Sequence, residues 1–160
     1  MSYKIEEISP KYDIDICKII KSVGEEFGAV GEGFGPGDEE VRNMSKYYNK
    51  KTKSIYFIAI KDGEVVGGCG ISNFDNDKNI CELRKLFILK EARGLGIGRK
   101  LVEKSLEFAK EKGYKECYLD TLSNMKDAIK LYKKLEFKNL SKPLEGVVHT
   151  GCDVWMIKTL

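Results

Sequence analysis

The spacing of apolar residues along the chain predicts four helices. Apolar residues recur at helical spacing between positions 14 and 27, and we expect Asp13, directly before them, to be the N-cap. Residues 38–40, Asp-Glu-Glu, supply a cap and first-turn negative charge for a second helix that ends near Tyr48. A third helix follows the glycines at 94–98 and stops at Gly113, and a fourth spans residues 125–134.

Extended apolar runs predict six strands, at residues 3–8, 54–61, 64–73, 80–89, 117–121 and 152–159. The turn Asp62-Gly63 and the polar run at 75–79 join the second, third and fourth strands directly, which indicates an antiparallel meander. The later strands alternate with helices. Without repeats or a linker, the order predicts one domain over residues 1–160, an α+β fold with a mixed sheet and not a doubly wound one.

Composition narrows the class of protein. The 160 residues are 42% hydrophobic and 33% charged, which is typical of a soluble globular domain. The longest apolar run, residues 55–60, is far short of the ~20 needed to span a bilayer. The N-terminal residues lack the apolar core of a signal peptide, so we expect a cytoplasmic protein. Five scattered cysteines without a C-x-x-C pair, and one histidine, predict reduced thiols and no metal site.

Charge is distributed unevenly between the two halves. Residues 1–80 hold 11 basic and 14 acidic residues, and residues 81–160 hold 17 and 11, so the halves carry −3 and +6. The net charge of +3 is too small to indicate a nucleic-acid partner. A basic C-terminal half suits a small polyanionic ligand, or else a solvated lysine-rich surface.

A glycine-rich turn is the most informative stretch of the sequence. Three glycines at alternate positions, Gly94 to Gly98, lie between a predicted strand and a predicted helix, and Arg93, Arg99 and Lys100 flank them. Glycines let backbone N–H groups approach a ligand, and a helix start adds unpaired donors and partial positive charge. The turn therefore predicts a pyrophosphate site, with a tight turn that binds nothing as the alternative.

Two other phosphate motifs fit less well. A P-loop ends in Gly-Lys-Ser/Thr, whereas this turn ends in Gly98-Arg99-Lys100. A dinucleotide fingerprint lacks its third glycine here, although Asp120 lies where a ribose-binding acid would be expected. That fingerprint also opens a parallel βαβ unit, whereas hairpins precede this turn. The remaining interpretation is a different pyrophosphate-containing ligand.

The motif Arg93-x-x-Gly96-x-Gly98 resembles the Q/R-x-x-G-x-G/A signature of the GNAT superfamily of N-acetyltransferases. The strand at 82–88 and the segment at 124–137, similar to the family's N…A…LYxKxGF, extend the resemblance over essentially the whole chain. Lys90 stands where many members have Pro, and residue 136 is Glu where many have Gly. Neither departure removes a donor from the predicted ligand site.

The resemblance implies a mostly antiparallel sheet flanked by helices, with a V-shaped splay between the two central strands. It implies that acetyl-CoA is a co-substrate and that no metal is required. The pantetheine is expected to pair with the backbone of Phe87 and Ile88, and Asn124 to bond it. The diphosphate is expected to rest on Arg93, Gly94, Gly96, Ile97, Gly98 and Arg99.

The resemblance also implies the catalytic groups for direct attack of an amine on the thioester in a ternary complex. Tyr132 is expected to be the general acid and Glu82 the general base, directly or through a water. Each has a structural alternative: a buried helix aromatic for Tyr132 and an ion pair with Arg84 for Glu82. His149 could be a second proton acceptor or a structural residue.

The acceptor is expected to be a primary amine on a small molecule or a peptide. Residues 22–41 contain no Lys or Arg, so their acids could form a negative pocket for a cationic amine, or only a flexible loop. Those acids are Glu25, Glu26, Glu32, Asp38, Glu39 and Glu40. No nucleic-acid or membrane partner is expected, and a homodimer is left open. The alternative function is a non-catalytic acyl-CoA-binding sensor or regulatory module on the same fold.

Overall fold

The computed structural model describes residues 2–147 and 149–160, which form one seven-stranded sheet flanked by helices. The strands are β1 (Tyr3–Glu7), β2 (Ile55–Lys61), β3 (Glu64–Asp75), β4 (Ile80–Ile88), β5 (Glu116–Thr121), β6 (Lys138–Leu140) and β7 (Val154–Thr159). Their order across the sheet is β1-β2-β3-β4-β5-β7-β6, in which β4 and β5 are parallel and every other pair is antiparallel. The predicted mixed, mostly antiparallel fold is confirmed. β6 was not predicted, because three residues are too few to show a period.

The helices are α1 (Asp13–Glu26), α2 (Met44–Tyr47), α3 (Ile97–Glu111) and α4 (Lys126–Lys134). Each face of the sheet has its own apolar core. Adjacent residues of β2 separate them: Ile58 packs with Ile16 of α1, and Ala59 packs with Leu101 of α3. Side chains alternate between the faces of a strand, so a single strand supplies both cores. Within the described residues, every helix is too short or too polar to traverse a lipid bilayer.

One predicted N-cap is wrong and the other makes no capping hydrogen bond, because both carboxylates have tertiary partners instead. Asp13 is the first residue of α1, and its carboxylate accepts hydrogen bonds from the N–H and hydroxyl of Ser45 at 2.9 and 2.6 Å. Asp38 does lie at the predicted N-cap position, but its side chain makes no capping hydrogen bond, and the predicted second helix is a 3₁₀ segment, Glu39–Asn43, followed by the single turn of α2. The Asp38 carboxylate turns towards Lys85 of β4.

A bulge in β4 sets the direction of several charged side chains. Lys85 has a φ of 55°, and the β3–β4 register shifts beside it. The bulge interrupts the usual alternation, so that the side chains of Arg84 and Lys85 both reach Glu40. The Tyr56 hydroxyl donates to the carbonyl of Lys85 at 2.7 Å. A Cβ at Gly68 of β3 would overlap the Tyr56 ring, so this glycine is required for the close approach.

The two central strands part soon after they pair. β4 and β5 are in register only from Ile80 to Glu82, opposite Glu116 to Tyr118. Beyond that point β4 continues to Ile88 without a partner on its β5 side among the described residues. The splay that the sequence predicted is therefore present, and it opens towards the start of α3.

Candidate active site

A cleft lies where β4 and β5 separate. Its lining includes Glu82 and Phe87 of β4, Asp120 of β5, Tyr132 of α4 and His149 of the segment before β7. The structure thus brings both predicted catalytic residues into the same cleft as His149, although they lie up to 67 positions apart along the chain. It adds Asp120, which sequence reasoning had considered only as a ribose-binding acid.

The glycine turn presents unpaired backbone donors at the start of α3. Gly94 and Gly96 have φ of 80° and 81°, in the left-handed region that favours glycine. The Lys100 N–H donates to the Gly96 carbonyl at 3.2 Å. The preceding amides at 97–99 therefore have no intrahelical acceptor. A Cβ at Gly96 would meet nothing within 4 Å, so the turn is open at this residue, whereas a Cβ at Gly98 would lie 3.1 Å from the Ile88 side chain. This arrangement can bind an anion.

The Arg93 guanidinium points towards the end of α1. It forms two hydrogen bonds with the Glu26 carboxylate, at 2.7 and 2.8 Å, and lies 5.3 Å above the Phe27 ring. Its Nε donates to the Ile88 carbonyl at 3.0 Å, and its own N–H donates to the Lys90 carbonyl at 3.3 Å. Arg93 can therefore offer a diphosphate its guanidinium, in competition with Glu26, but not its amide.

Asn124 and Arg99 also have protein partners. The Asn124 amide nitrogen donates to the Phe27 carbonyl at 2.9 Å, which leaves its side-chain oxygen available. Arg99 is half-exposed and forms an i,i+4 pair with Glu103 at 3.3 Å, which is a weak interaction in solvent. Arg99 can therefore turn towards an anion at the glycine turn at little cost.

The predicted pantetheine strand positions lie at the open end of β4. Phe87 pairs with Gly68 of β3, and Ile88 pairs with Gly67. On its other side this part of β4 has no paired strand within the described residues. An extended ligand could add to that edge as a further strand.

Glu82 is a buried carboxylate with one cationic partner. Its side chain is 5% exposed, and the Nε of Arg84 donates to it at 2.8 Å, so the ion pair considered as its structural alternative is present. Burial raises the pKa of Glu82 above its usual range, although the charge of Arg84 opposes the shift and that of Asp120 adds to it. A raised carboxyl pKa suits a general base that works near neutral pH.

Tyr132 is buried in the wall of the cleft. Burial raises the pKa of its phenol, so the hydroxyl remains protonated. Its ring packs edge-on against Phe137, with centroids 5.8 Å apart. Among the described residues, the Tyr132 hydroxyl has no hydrogen-bond partner. Because Tyr132 lines the cleft, this hydroxyl can donate to a ligand there.

His149 bridges two carboxylates. Its Nε2 lies 2.8 Å from Asp38 and its Nδ1 lies 3.3 Å from Asp120. Burial alone would lower the pKa of His149, but these two hydrogen bonds and charges raise it to about 9. Burial opposes ionisation of Asp38 too, yet His149 and Lys85 lower its pKa to about 2. At neutral pH the imidazole is therefore an imidazolium.

The predicted negative pocket at residues 22–41 is wrong for three of its acids, because each is paired with a cation. Glu26 is bound by Arg93. The ammonium of Lys85, whose side chain is 2% exposed, lies 2.8 Å from Asp38 and 2.9 Å from Glu40. This part of the site is a compensated charge network instead.

Three side chains of the cleft could offer donor atoms to one metal ion. These are Glu82, Asp120 and His149, whose donor atoms all lie within 4.8 Å of one another. Arg84 already donates to Glu82, and both nitrogens of His149 face carboxylates. A cation would have to displace these partners, so we attribute the cluster to proton and charge chemistry.

Sequence reasoning missed the roles of Asp120 and Lys85. Each carried a signal: Asp120 is a charged residue near the end of an apolar strand, and Lys85 interrupts the alternation of β4. Neither signal identifies a partner, because those partners lie 29 and 47 positions away.

Comparisons of the sequence with protein families and with curated proteins agree on one family. The sequence profile of the Acetyltransferase (GNAT) family matches residues 23–137. An uncharacterized N-acetyltransferase of Escherichia coli, YjgM, is 34% identical over 147 residues, which are 91% of this chain and 87% of that protein. The N-acetylaspartate synthetase of Xenopus tropicalis is 34% identical over 101 residues, 63% of this chain and 37% of that protein.

Solved structures share the fold along almost the whole chain. An acetyltransferase from Streptococcus agalactiae superposes with a TM-score of 0.83 at 22% identity, covering 99% of this chain and 98% of that one. The PaiA N-acetyltransferase of Thermoplasma acidophilum, solved with coenzyme A, gives a TM-score of 0.79 at 19% identity and covers both chains fully. At such identities the likeness concerns the fold alone.

Proposed function

This chain belongs to the GNAT family of acetyltransferases, and from that premise we propose that it transfers the acetyl group of acetyl-CoA to a primary amine. The amine attacks the thioester directly while both substrates are bound. The family makes the chain an acyltransferase. Acetyl-CoA as the coenzyme, a primary amine as the acceptor and the roles of individual residues are proposed.

One observation carries the proposal: the amides at residues 97–99 have no backbone acceptor, and their turn follows the unpaired end of β4, the strand that also supplies Glu82 to the cleft lined by Tyr132. The diphosphate of acetyl-CoA would accept hydrogen bonds from those amides and from Arg93 and Arg99, where the helix start favours negative charge. The pantetheine would run along the edge of β4 that has no paired strand, at Phe87 and at Ile88, whose carbonyl also accepts from Arg93. Asn124 would reach it with its side-chain oxygen.

The reaction requires few chemical groups. The acceptor enters as an ammonium ion and loses a proton to Glu82, directly or through a water, so that its nitrogen carries a lone pair. The nitrogen forms a bond to the acetyl carbonyl carbon and gives up its second proton to solvent, and the C–S bond breaks. Glu82 later returns its own proton to solvent. Tyr132 donates a proton to the departing thiolate, and is reprotonated from solvent. The products are an acetamide, free coenzyme A and one proton.

The first test is binding, followed by thiol release. We expect acetyl-CoA to raise the melting temperature in proportion to the logarithm of its concentration, because it binds the native state. NAD, which also contains a pyrophosphate, and duplex DNA are matched controls that should have no effect. A panel of primary amines should then release free thiol from acetyl-CoA only when both substrates are present.

The outcomes separate the possible functions. Stabilisation by acetyl-CoA together with amine-dependent thiol release supports the proposal. Stabilisation without thiol release from any amine would indicate the non-catalytic sensor instead. Absence of stabilisation by acetyl-CoA would contradict both.

A further inference from the structure

The bridge made by His149 joins segments that are far apart in the chain. Asp38 lies between two 3₁₀ turns, Gly35–Gly37 and Glu39–Asn43, whereas Asp120 lies in β5. The side chain of His149 is 11% exposed, and it lies between these two carboxylates at the cleft. The His149 ring thus links the segment around Asp38 to the central sheet.

Asp120 depends on this ring for its hydrogen bonding. Its side chain is 4% exposed, and its Oδ2 is buried without a partner among the described residues. His149 donates to its other oxygen, and the Cys152 thiol is a further, uncharged neighbour of this carboxylate. A buried carboxylate is costly unless a donor or a positive charge accompanies it, so loss of the imidazolium would leave Asp120 poorly compensated.

We propose that protonated His149 is a positioning residue for the proposed acetyl transfer: it holds Asp38 and Asp120 together and places a positive charge beside Glu82. The kinetic part of this inference rests on the proposed function. The structural part, a histidine locked in its charged form, does not.

The charged neighbours of His149 determine the direction in which the pKa of Glu82 should change. The titratable and charged groups that face it are Asp38 with Lys85 behind it, Asp120, Glu82 and Cys152. At Glu82, the charge of His149 lowers the pKa and the charge of Asp120 raises it. Removing one or the other should therefore move the ionisation of Glu82 in opposite directions, which a merely structural role would not do.

The kinetic test uses His149→Gln, Asp120→Asn and the double variant, each assayed for kcat/KM between pH 5.5 and 9.5. We expect the midpoint of the acid limb to move up by about one pH unit in His149→Gln and down by a similar amount in Asp120→Asn. The double variant should return close to the wild-type midpoint. Asp13→Asn, which loses hydrogen bonds to Ser45 away from the cleft, should leave the midpoint unchanged.

A direct test needs no activity, because His149 is the only histidine of the chain. Its ring protons give a single set of histidine NMR signals in the full-length protein, which can be followed against pH. We expect a titration midpoint above pH 8 in the wild type and a lower midpoint in Asp38→Asn. A midpoint near 6.5, as in an unperturbed histidine, would overturn the proposal even if the variants proved inactive or unstable.

Two further results would also overturn it. One is an acid limb with the same midpoint in His149→Gln and Asp120→Asn as in the wild type. The other is loss of wild-type activity in EDTA with recovery on addition of Zn²⁺, which would assign the cluster to a metal. If the wild type releases no thiol with any amine while the NMR midpoint is high, the proposed function fails and the structural inference stands.

Discussion

The two sides of the cleft are built by different physical means. On the proposed coenzyme side, the donors are the unpaired amides of residues 97–99, and two glycines in the left-handed region and the start of α3 fix their direction. On the other side, which we propose for the acceptor, charged side chains meet from segments up to 111 positions apart, as in the pair of His149 with Asp38. Amides do not titrate, whereas every member of the second group does. The first side should therefore respond to steric change, and the second to pH and charge.

The largest expected effect is a steric and electrostatic block of the coenzyme side. Gly96→Glu should weaken acetyl-CoA binding by roughly 100-fold or more, equivalent to about 2.7 kcal/mol, because a carboxylate would lie in front of the amides. Gly113→Glu is the matched control, since Gly113 also has a positive φ, of 87°, and open space around it, but lies at the far end of α3. Calorimetry should give normal affinity for the control, and equal affinity for both variants would contradict the proposed diphosphate site.

The next effect concerns the proposed acid. Tyr132→Phe should lower kcat by roughly 10- to 100-fold and leave acetyl-CoA affinity unchanged, because only the thiolate would lose its proton donor. Tyr114→Phe is a control that also removes a buried phenol hydroxyl, one bonded to the Lys53 carbonyl, and it should keep full kcat. Rapid-quench or thiol-release assays would measure both. A kcat retained in Tyr132→Phe would remove this residue from the mechanism.

A third prediction tests the pH sensitivity of the acceptor side. The pKa of His149 is raised to about 9, so its contribution to stability is full below its unfolded value near 6.5 and is lost as the pH rises through 9. Urea unfolding should therefore show that the free energy of unfolding falls by on the order of 2 kcal/mol between pH 6.5 and 9.5. His149→Gln should lose less over the same interval.

Asp38, in the same network, contributes to stability with the opposite dependence on pH. The pKa of Asp38 is lowered to about 2, so its contribution is present above about 4 and disappears as the pH falls towards 2. Unfolding curves for Asp38→Asn should therefore depend less on pH in that range. Parallel curves for the variant and the wild type would contradict the ion pairing described here.

The smallest expected effect concerns the ion pair of Glu26 with Arg93. Glu26→Gln should tighten acetyl-CoA binding by about 2- to 5-fold, because the diphosphate would no longer compete with a carboxylate for Arg93. Glu25→Gln, an exposed neighbour outside this ion pair, should change nothing. Weaker binding by Glu26→Gln would instead mean that Glu26 orients Arg93 towards the coenzyme.

The parts of the molecule that could be predicted from sequence are those whose signals are local. The period of apolar residues gave α1 and the strands of the meander, and the stop of α3 at Gly113 is confirmed by its φ of 87°. The glycine turn was likewise recognisable, because its glycines and cations lie within eight consecutive residues. Its role in binding acetyl-CoA remains a prediction.

The parts that could not be predicted depend on long-range partners. Asp13 and Asp38 have the composition of N-caps, but Ser45 and Lys85 compete successfully for their carboxylates. A propensity is a preference of a few tenths to one kcal/mol, and a tertiary ion pair or hydrogen bond can outweigh it. For the same reason, the acids of residues 22–41 could be counted but their neutralisation could not.

The bulge at Lys85 has a consequence for how this protein can vary. The buried Lys85 carbonyl accepts a hydrogen bond from the Tyr56 hydroxyl, and the Tyr56 ring fits only because Gly68 and Gly70 of the adjacent strand carry no side chain. These three positions touch neither proposed substrate, yet together they allow Arg84 and Lys85 to face the same way. They should consequently co-vary as a set among relatives, and a phenol flanked by two glycines on the neighbouring strand becomes a sequence marker for chains that keep this charge arrangement.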